Sequence, residues 1–95
     1  MTRILAFGKS ETTVERGLAL LRAEGYEAQG VRTAGEAIAV LMELHVDVLV
    51  IGGGVGSSER AAVKDAAHRL VPAPKVVEVH GAANLLKALR PVRQL

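Results

Sequence analysis

The chain is expected to fold as a small three-layer α/β domain on a four-stranded parallel sheet, and three observations lead there. Strand-like apolar runs alternate with helical patterns four times in 95 residues, the order of successive βαβ units. Val48-Leu49-Val50-Ile51 is an unbroken apolar run, as a strand buried on both faces requires. Right-handed crossovers then give the strand order 2-1-3-4 with helices on both faces. No linker, repeat or low-complexity stretch divides the chain, so residues 1–95 read as one domain.

Each element follows from local pattern. Arg3 to Phe7 is a short apolar run ending at Gly8. Thr12 and Glu15 have capping-box spacing. Val14, Leu18 and Leu21 follow at helical intervals, and Gly25 supplies a stop. Tyr26 to Val31 is a weak strand, diluted by Gln29 and Gly30, which suits an edge. Thr33 and Glu36 form a second capping box, followed by Ile38, Leu41 and Leu44 or His45. The third strand runs from Asp47 to Ile51.

A glycine-rich turn leads to a third helix, about Ser58 to Leu70, with Ala62, Val63, Ala66, Ala67 and Leu70 inward and Pro72 and Pro74 after it. Lys75 to Val79 is the fourth strand, and Asn84 to Leu89 a last helix, with Pro91 ending or kinking it.

Composition narrows the function. Hydrophobic residues make up 49% and charged residues 23%, a globular balance. Phe7 and Tyr26 are the only aromatics, so the chain has few stacking platforms and nucleic-acid binding is not expected. Lys87, Arg90 and Arg93 form a weak basic cluster, and the net charge is +2. There is no cysteine, which removes disulfides and thiolate metal sites. The first apolar stretch stops at Gly8-Lys9, too short for a signal peptide or membrane span. The expectation is a cytoplasmic protein with no metal and no cofactor.

Three stretches carry a family resemblance. Leu20-Leu21-Arg22-Ala23-Glu24-Gly25-Tyr26-Glu27-Ala28 is similar to the first-helix exit of bacterial response-regulator receiver domains. Thr33-Ala34-Gly35-Glu36-Ala37-Ile38 resembles the start of their second helix, and Asp47-Val48-Leu49-Val50-Ile51 their approach to the phosphoacceptor. The resemblance covers Arg3 to Val55 and implies a shortened flavodoxin-like fold, with no counterpart of the fifth strand. It also implies a degenerate centre. Gly52 holds the position of the phosphoaccepting aspartate, and Phe7-Gly8-Lys9 stands where receivers place magnesium-binding acidic residues. Glycine cannot be phosphorylated, and a hard dication needs oxygen ligands.

In the 2-1-3-4 order the switch point lies between the first and third strands, at their C-terminal ends. The loops there contain Gly8, Lys9 and Ser10, and Gly52, Gly53, Gly54, Gly56, Ser57 and Ser58. Both precede helix N-termini, whose free amides favour anions. The glycines and serines also fit a plain turn and helix caps. Gly8-Lys9-Ser10 mimics the tail of a P-loop, but Arg3 stands where its first glycine belongs, and Gly52 to Ser57 is an incomplete dinucleotide motif on the wrong strand.

His45, His68 and His80 share no ligand spacing. His80 lies at the same sheet edge as the glycine loop, and Glu78 precedes it on one face; the pair reads as a base with its orienting carboxylate or as polar protection of an edge strand. Arg60 and Lys64 read as a solvated helix face or as a surface for an acidic partner.

The leading expectation is therefore a phosphorylation-independent, non-catalytic receiver-like interaction or signalling module. The alternative is a small anion- or nucleotide-binding domain that uses the glycine loop. A homodimer through the fourth strand or the last helix is expected, since an edge strand and a small core both gain from a partner.

Overall fold

A computed structural model describes residues 2–79. Four strands, β1 (Arg3–Phe7), β2 (Glu27–Val31), β3 (Val48–Gly52) and β4 (Lys75–Val79), alternate with three helices, α1 (Glu11–Ala23), α2 (Ala34–Glu43) and α3 (Ser57–His68). The sheet has the order β2-β1-β3-β4 and every pairing is parallel, as the alternating pattern requires. Ile4 stands opposite Ala28 and Val48, and Ile51 opposite Phe7 and Glu78. The last helix, the C-terminal basic cluster and His80 lie outside the described residues.

Strand alternation divides the core between the two faces. Leu5, Phe7, Leu49 and Ile51 pack with Ala37 and Leu41 of α2 and Val63 and Ala67 of α3. Ile4, Val48, Val50 and Val79 turn the other way and cluster with Leu21 of α1. Burying both faces of β1 and β3 is why those two strands read as continuous apolar runs. No polar or charged residue is fully buried among the described ones.

Local chemistry explains most boundaries. Thr33 caps α2, with its Oγ1 accepting from the Glu36 amide at 3.1 Å and its hydroxyl meeting the Glu36 carboxylate at 3.1 Å. The expected capping box at Thr12 and Glu15 is not used. Ser10 caps α1 instead, accepting from the Thr13 amide at 3.3 Å, so the helix starts earlier and Thr12 and Glu15 lie within it, exposed. α1 ends in a Schellman arrangement: Gly25 takes φ +90°, its amide donates to Arg22, and the Tyr26 amide donates to Leu21.

Several inward residues also differ from expectation. Ala62 is exposed, while Val63 and Ala67 carry the buried stripe of α3. Leu44 and His45 point outward, because α2 stops at Glu43 and Leu44 takes an extended conformation. Val46 replaces them in the core. Gly30 does more than dilute β2: a Cβ there would lie 2.5 Å from Val14 Cγ1 and 2.9 Å from Leu18 Cδ1. Its missing side chain lets α1 settle on the sheet.

The strand starts are tied together opposite the glycine loop. The Arg3 amide donates to Asp47 Oδ2 at 2.8 Å, and the Asp47 amide returns a bond to the Arg3 carbonyl. The Lys75 amide donates to the Asp47 carbonyl. Asp47 thus joins the entries of β1, β3 and β4.

Candidate functional site

The C-terminal ends of β1 and β3 open into a crevice of about 400 Å³, within the usual range for small-ligand pockets. Ala6, Phe7, Val50 and Val79 contribute from the sheet, and Thr13, Val14 and Gly17 from α1. Gly8, Lys9 and Ser10 line it from one loop and Gly52, Gly53 and Gly54 from the other. The floor is apolar, and the polar groups are gathered at the rim. It sits at the switch point, where the topology leaves two crossovers diverging to opposite faces.

Of the residues singled out from sequence, the structure brings six to this crevice: Gly8, Lys9, Ser10, Gly52, Gly53 and Gly54. Gly56 is the N-cap of α3, and Ser57 and Ser58 are exposed in its first turn, away from the crevice lining. The serines do not cap the helix; α3 has no side-chain cap. The apolar floor was not legible, because its residues read only as core positions of strands and α1.

The glycine loop has an unusual steric profile. Among the described residues only Gly25 has positive φ, so the backbone does not impose glycine between Gly52 and Gly56. A Cβ at Gly52 would meet Phe7 O at 3.5 Å and Gly8 Cα at 3.6 Å, ordinary contacts. One at Gly54 would lie 4.0 Å from Lys9 Cβ, and one at Gly56 would meet nothing within 4 Å. Neither conformation nor packing among the described residues explains glycine at these three positions. Gly8 differs, since a Cβ there would stand 2.9 Å from Val14 Cγ2.

Two ion pairs frame the loop. Lys9 Nζ lies 2.6 Å from Glu59 Oε2, linking the β1–α1 turn to the first turn of α3. Arg60 Nη2 donates to the carbonyls of Gly52 at 3.3 Å and Val55 at 3.2 Å, while its Nη1 reaches Glu78 Oε1 at 2.7 Å. Lys64 Nζ lies 3.6 Å from the same Glu78 oxygen. The hydrogen bond from Arg60 holds the Glu78 carboxyl below its ordinary range; slight desolvation opposes this and the charge of Lys64 adds to it.

Arg60 and Lys64 are therefore partnered within the fold rather than forming a free basic face. Glu78 pairs with both, and the His80 half of the expected Glu78–His80 pair lies outside the described residues. Arg60 is the residue that sequence reading missed, since a helix-surface arginine carries no mark of the loop it will clasp.

The β1–α1 turn spans only Gly8, Lys9 and Ser10, so no eight-residue phosphate cradle is formed. Among the described residues no group of three or more His, Cys, Asp or Glu could hold a metal ion.

No family model matches the chain, and no curated protein matches it. Solved structures do. The solution structure of a phosphate-loop protein is 26% identical, covers 99% of this chain and 90% of its own, and superposes with a TM-score of 0.65. The receiver domain of NtrC4 from Aquifex aeolicus is 24% identical over 96% of this chain and 78% of its own, with a TM-score of 0.63.

The fold is receiver-like. A de novo designed Rossmann 2x3 protein agrees, with 15% identity, 99% and 73% coverage and a TM-score of 0.67. The order 2-1-3-4 with three helices is the flavodoxin- and Rossmann-like α/β arrangement. Among the described residues no helix is long and apolar enough to cross a membrane.

Proposed function

We propose that this domain is a phosphorylation-independent, non-catalytic receiver-like module that works by holding a small anionic ligand in the crevice at its switch point. The observation that carries this reading is the bare glycine wall. Gly52 and Gly54 serve neither backbone conformation nor contacts among the described residues. A wall without side chains admits close approach from outside, and helix N-termini favour negative charge there. The likeness to a phosphate-loop protein over 99% of the chain supports it. The degenerate centre fits as well: Gly52 ends β3, where the resemblance to receivers places the acceptor, and Lys9 stands in the turn where they place acidic residues.

The test combines two measurements. Mass spectrometry after incubation with acetyl phosphate and Mg²⁺ is expected to show no phosphoryl adduct; an adduct overturns phosphorylation independence. A thermal-shift screen against phosphate, sulfate and nucleotides is expected to show a selective rise. At a hundredfold excess over Kd the stabilisation is about 2.7 kcal/mol, or about ten degrees or more for this size. Gly54→Ala keeps or raises Tm, because it restricts the unfolded chain by about 0.4–1 kcal/mol, yet loses the ligand shift. Absence of any shift in the unmodified protein removes the ligand reading.

A second reading is contact with a protein partner, in the first place a second copy. β4 is the last strand of the sheet, and its outer edge has no strand partner among the described residues. Pairing of β4 with its copy gives one continuous sheet. A constant monomer mass over a wide concentration range removes the homodimer.

A further inference from the structure

We infer that Glu59 is a built-in competitor for the crevice, an internal anion that holds Lys9 until a ligand displaces it. This rests on the ligand reading above and adds what sets the affinity and charge preference of that site. Lys9 is the one cationic side chain lining the crevice among the described residues. Its ammonium is not free: Glu59 Oε2 lies 2.6 Å away, across 50 residues of chain, from the first turn of α3.

Among the described residues no second cation substitutes at the rim. Arg60, the neighbour of Glu59, spends its guanidinium on Glu78 and on the carbonyls of Gly52 and Val55. Arg32 Nη1 lies 3.5 Å from Glu11 at the start of α1.

The pair is built to yield. Both side chains are more than a third exposed, at 41% and 35%, and solvent-exposed ion pairs are weak. An anion entering the crevice offers Lys9 the same charge and, not being tethered to α3, is free to settle against the glycine wall as well. Binding is then an exchange in which the carboxylate leaves as the ligand arrives. The observed affinity is reduced by the fraction of time Lys9 is occupied. The exchange also discriminates by charge: Glu59 remains near the rim after displacement and opposes polyanions more than a compact monoanion or dianion.

The experiment is isothermal titration of the full chain with inorganic phosphate and sulfate, in four proteins: unmodified, Glu59→Gln, Lys9→Met and the double variant. Glu59→Gln is expected to bind roughly two- to fivefold tighter, the size of an exposed ion pair removed. Lys9→Met binds more weakly, and in the Lys9→Met background Glu59→Gln brings no gain. Should Glu59→Gln disturb folding, Glu59→Asp shortens the reach to Lys9 and is expected to show the same gain.

If the unmodified chain binds and Glu59→Gln is not tighter, the competitor role is overturned while the site stands. A gain that persists without Lys9 overturns it too, since Glu59 is then only a diffuse repulsive charge. Binding by none of the four proteins overturns the ligand reading itself.

Discussion

Arg60 and Glu78 join α3 to β4 at the end of the sheet where the crevice opens, with Nη1 2.7 Å from Oε1. The other arm of the same guanidinium holds the Gly52 and Val55 carbonyls. One side chain therefore ties the glycine loop, the helix that follows it and the edge strand into a unit. Arginine suits this place because its planar fork presents several donors at fixed angles.

Arg60→Ala is expected to loosen the glycine loop before it unfolds the domain. The two carbonyl bonds are worth about 1–2 kcal/mol together, a fall in Tm of roughly 4–16 °C at this size. Amide hydrogen exchange from Gly52 to Gly56 should quicken. Glu78→Gln leaves the carbonyl bonds in place, so exchange in the loop should stay near its original rate. Equal exchange in Arg60→Ala and the unmodified chain would show that the loop holds its shape without the clasp.

Gly30→Ala is expected to destabilise, although Gly30 lies in an edge strand where alanine would ordinarily be tolerated. The new methyl would stand 2.5 Å from Val14 Cγ1 and 2.9 Å from Leu18 Cδ1, and overpacking costs about 1–3 kcal/mol. Val14→Ala in the same chain should return part of the loss, because it removes the atom in the closest contact. Chemical denaturation of the three proteins measures the coupling. A purely additive pair of effects would place the cause elsewhere than in the seat of α1 on β2.

Asp47 makes stability depend on acid. The Arg3 amide, donating at 2.8 Å, holds its carboxyl below the ordinary value near 3.8; partial desolvation opposes this, and the contact with His45 adds to it. A carboxyl with a depressed folded pKa binds fewer protons in the native state than in the unfolded one. Its stabilisation is present above the ordinary value and is lost as pH falls through the folded pKa. Glu78, lowered by Arg60, acts in the same direction. Asp47→Asn should cost about 1 kcal/mol at neutral pH, solvent screening included, and flatten the decline in stability from about pH 5 downward. Thermal melts from pH 7 to 3 measure it; parallel curves for the two proteins would count against the assignment.

Much of the fold was legible because its signals are local. The apolar run from Val48 to Ile51 announced a doubly buried strand, and the structure buries all four residues. Thr33 and Glu36 carried their own cap. Gly25 marked a left-handed C-terminus and adopts one. Other signals were local but ambiguous. Ser10 and Thr12 both make acceptable N-caps, and the fold uses Ser10. Gly30 looked like a defect in a strand, because its meaning lies in a helix more than ten residues away.

The candidate site divides in the same way. Gly8, Lys9, Ser10 and the run from Gly52 to Gly54 were readable, since loops at the ends of parallel strands follow from topology. Ser57 and Ser58 were expected at the same surface, but α3 begins at Ser57 and neither is among the residues lining the crevice. The crevice floor and the Arg60 clasp had no sequence signal of their own.

By itself the sequence determined the strand and helix order, the parallel sheet and the glycine-rich end of β3, because hydrophobic periodicity, caps and turn residues act within a few positions of one another. Only the tertiary structure decided that Lys9 meets Glu59, that Arg60 meets Gly52, Val55 and Glu78, and that Gly30 seats α1. Those contacts span 5 to 50 residues. They depend on the crossing of helices over the sheet, a geometry set by packing both of its faces rather than by any one segment.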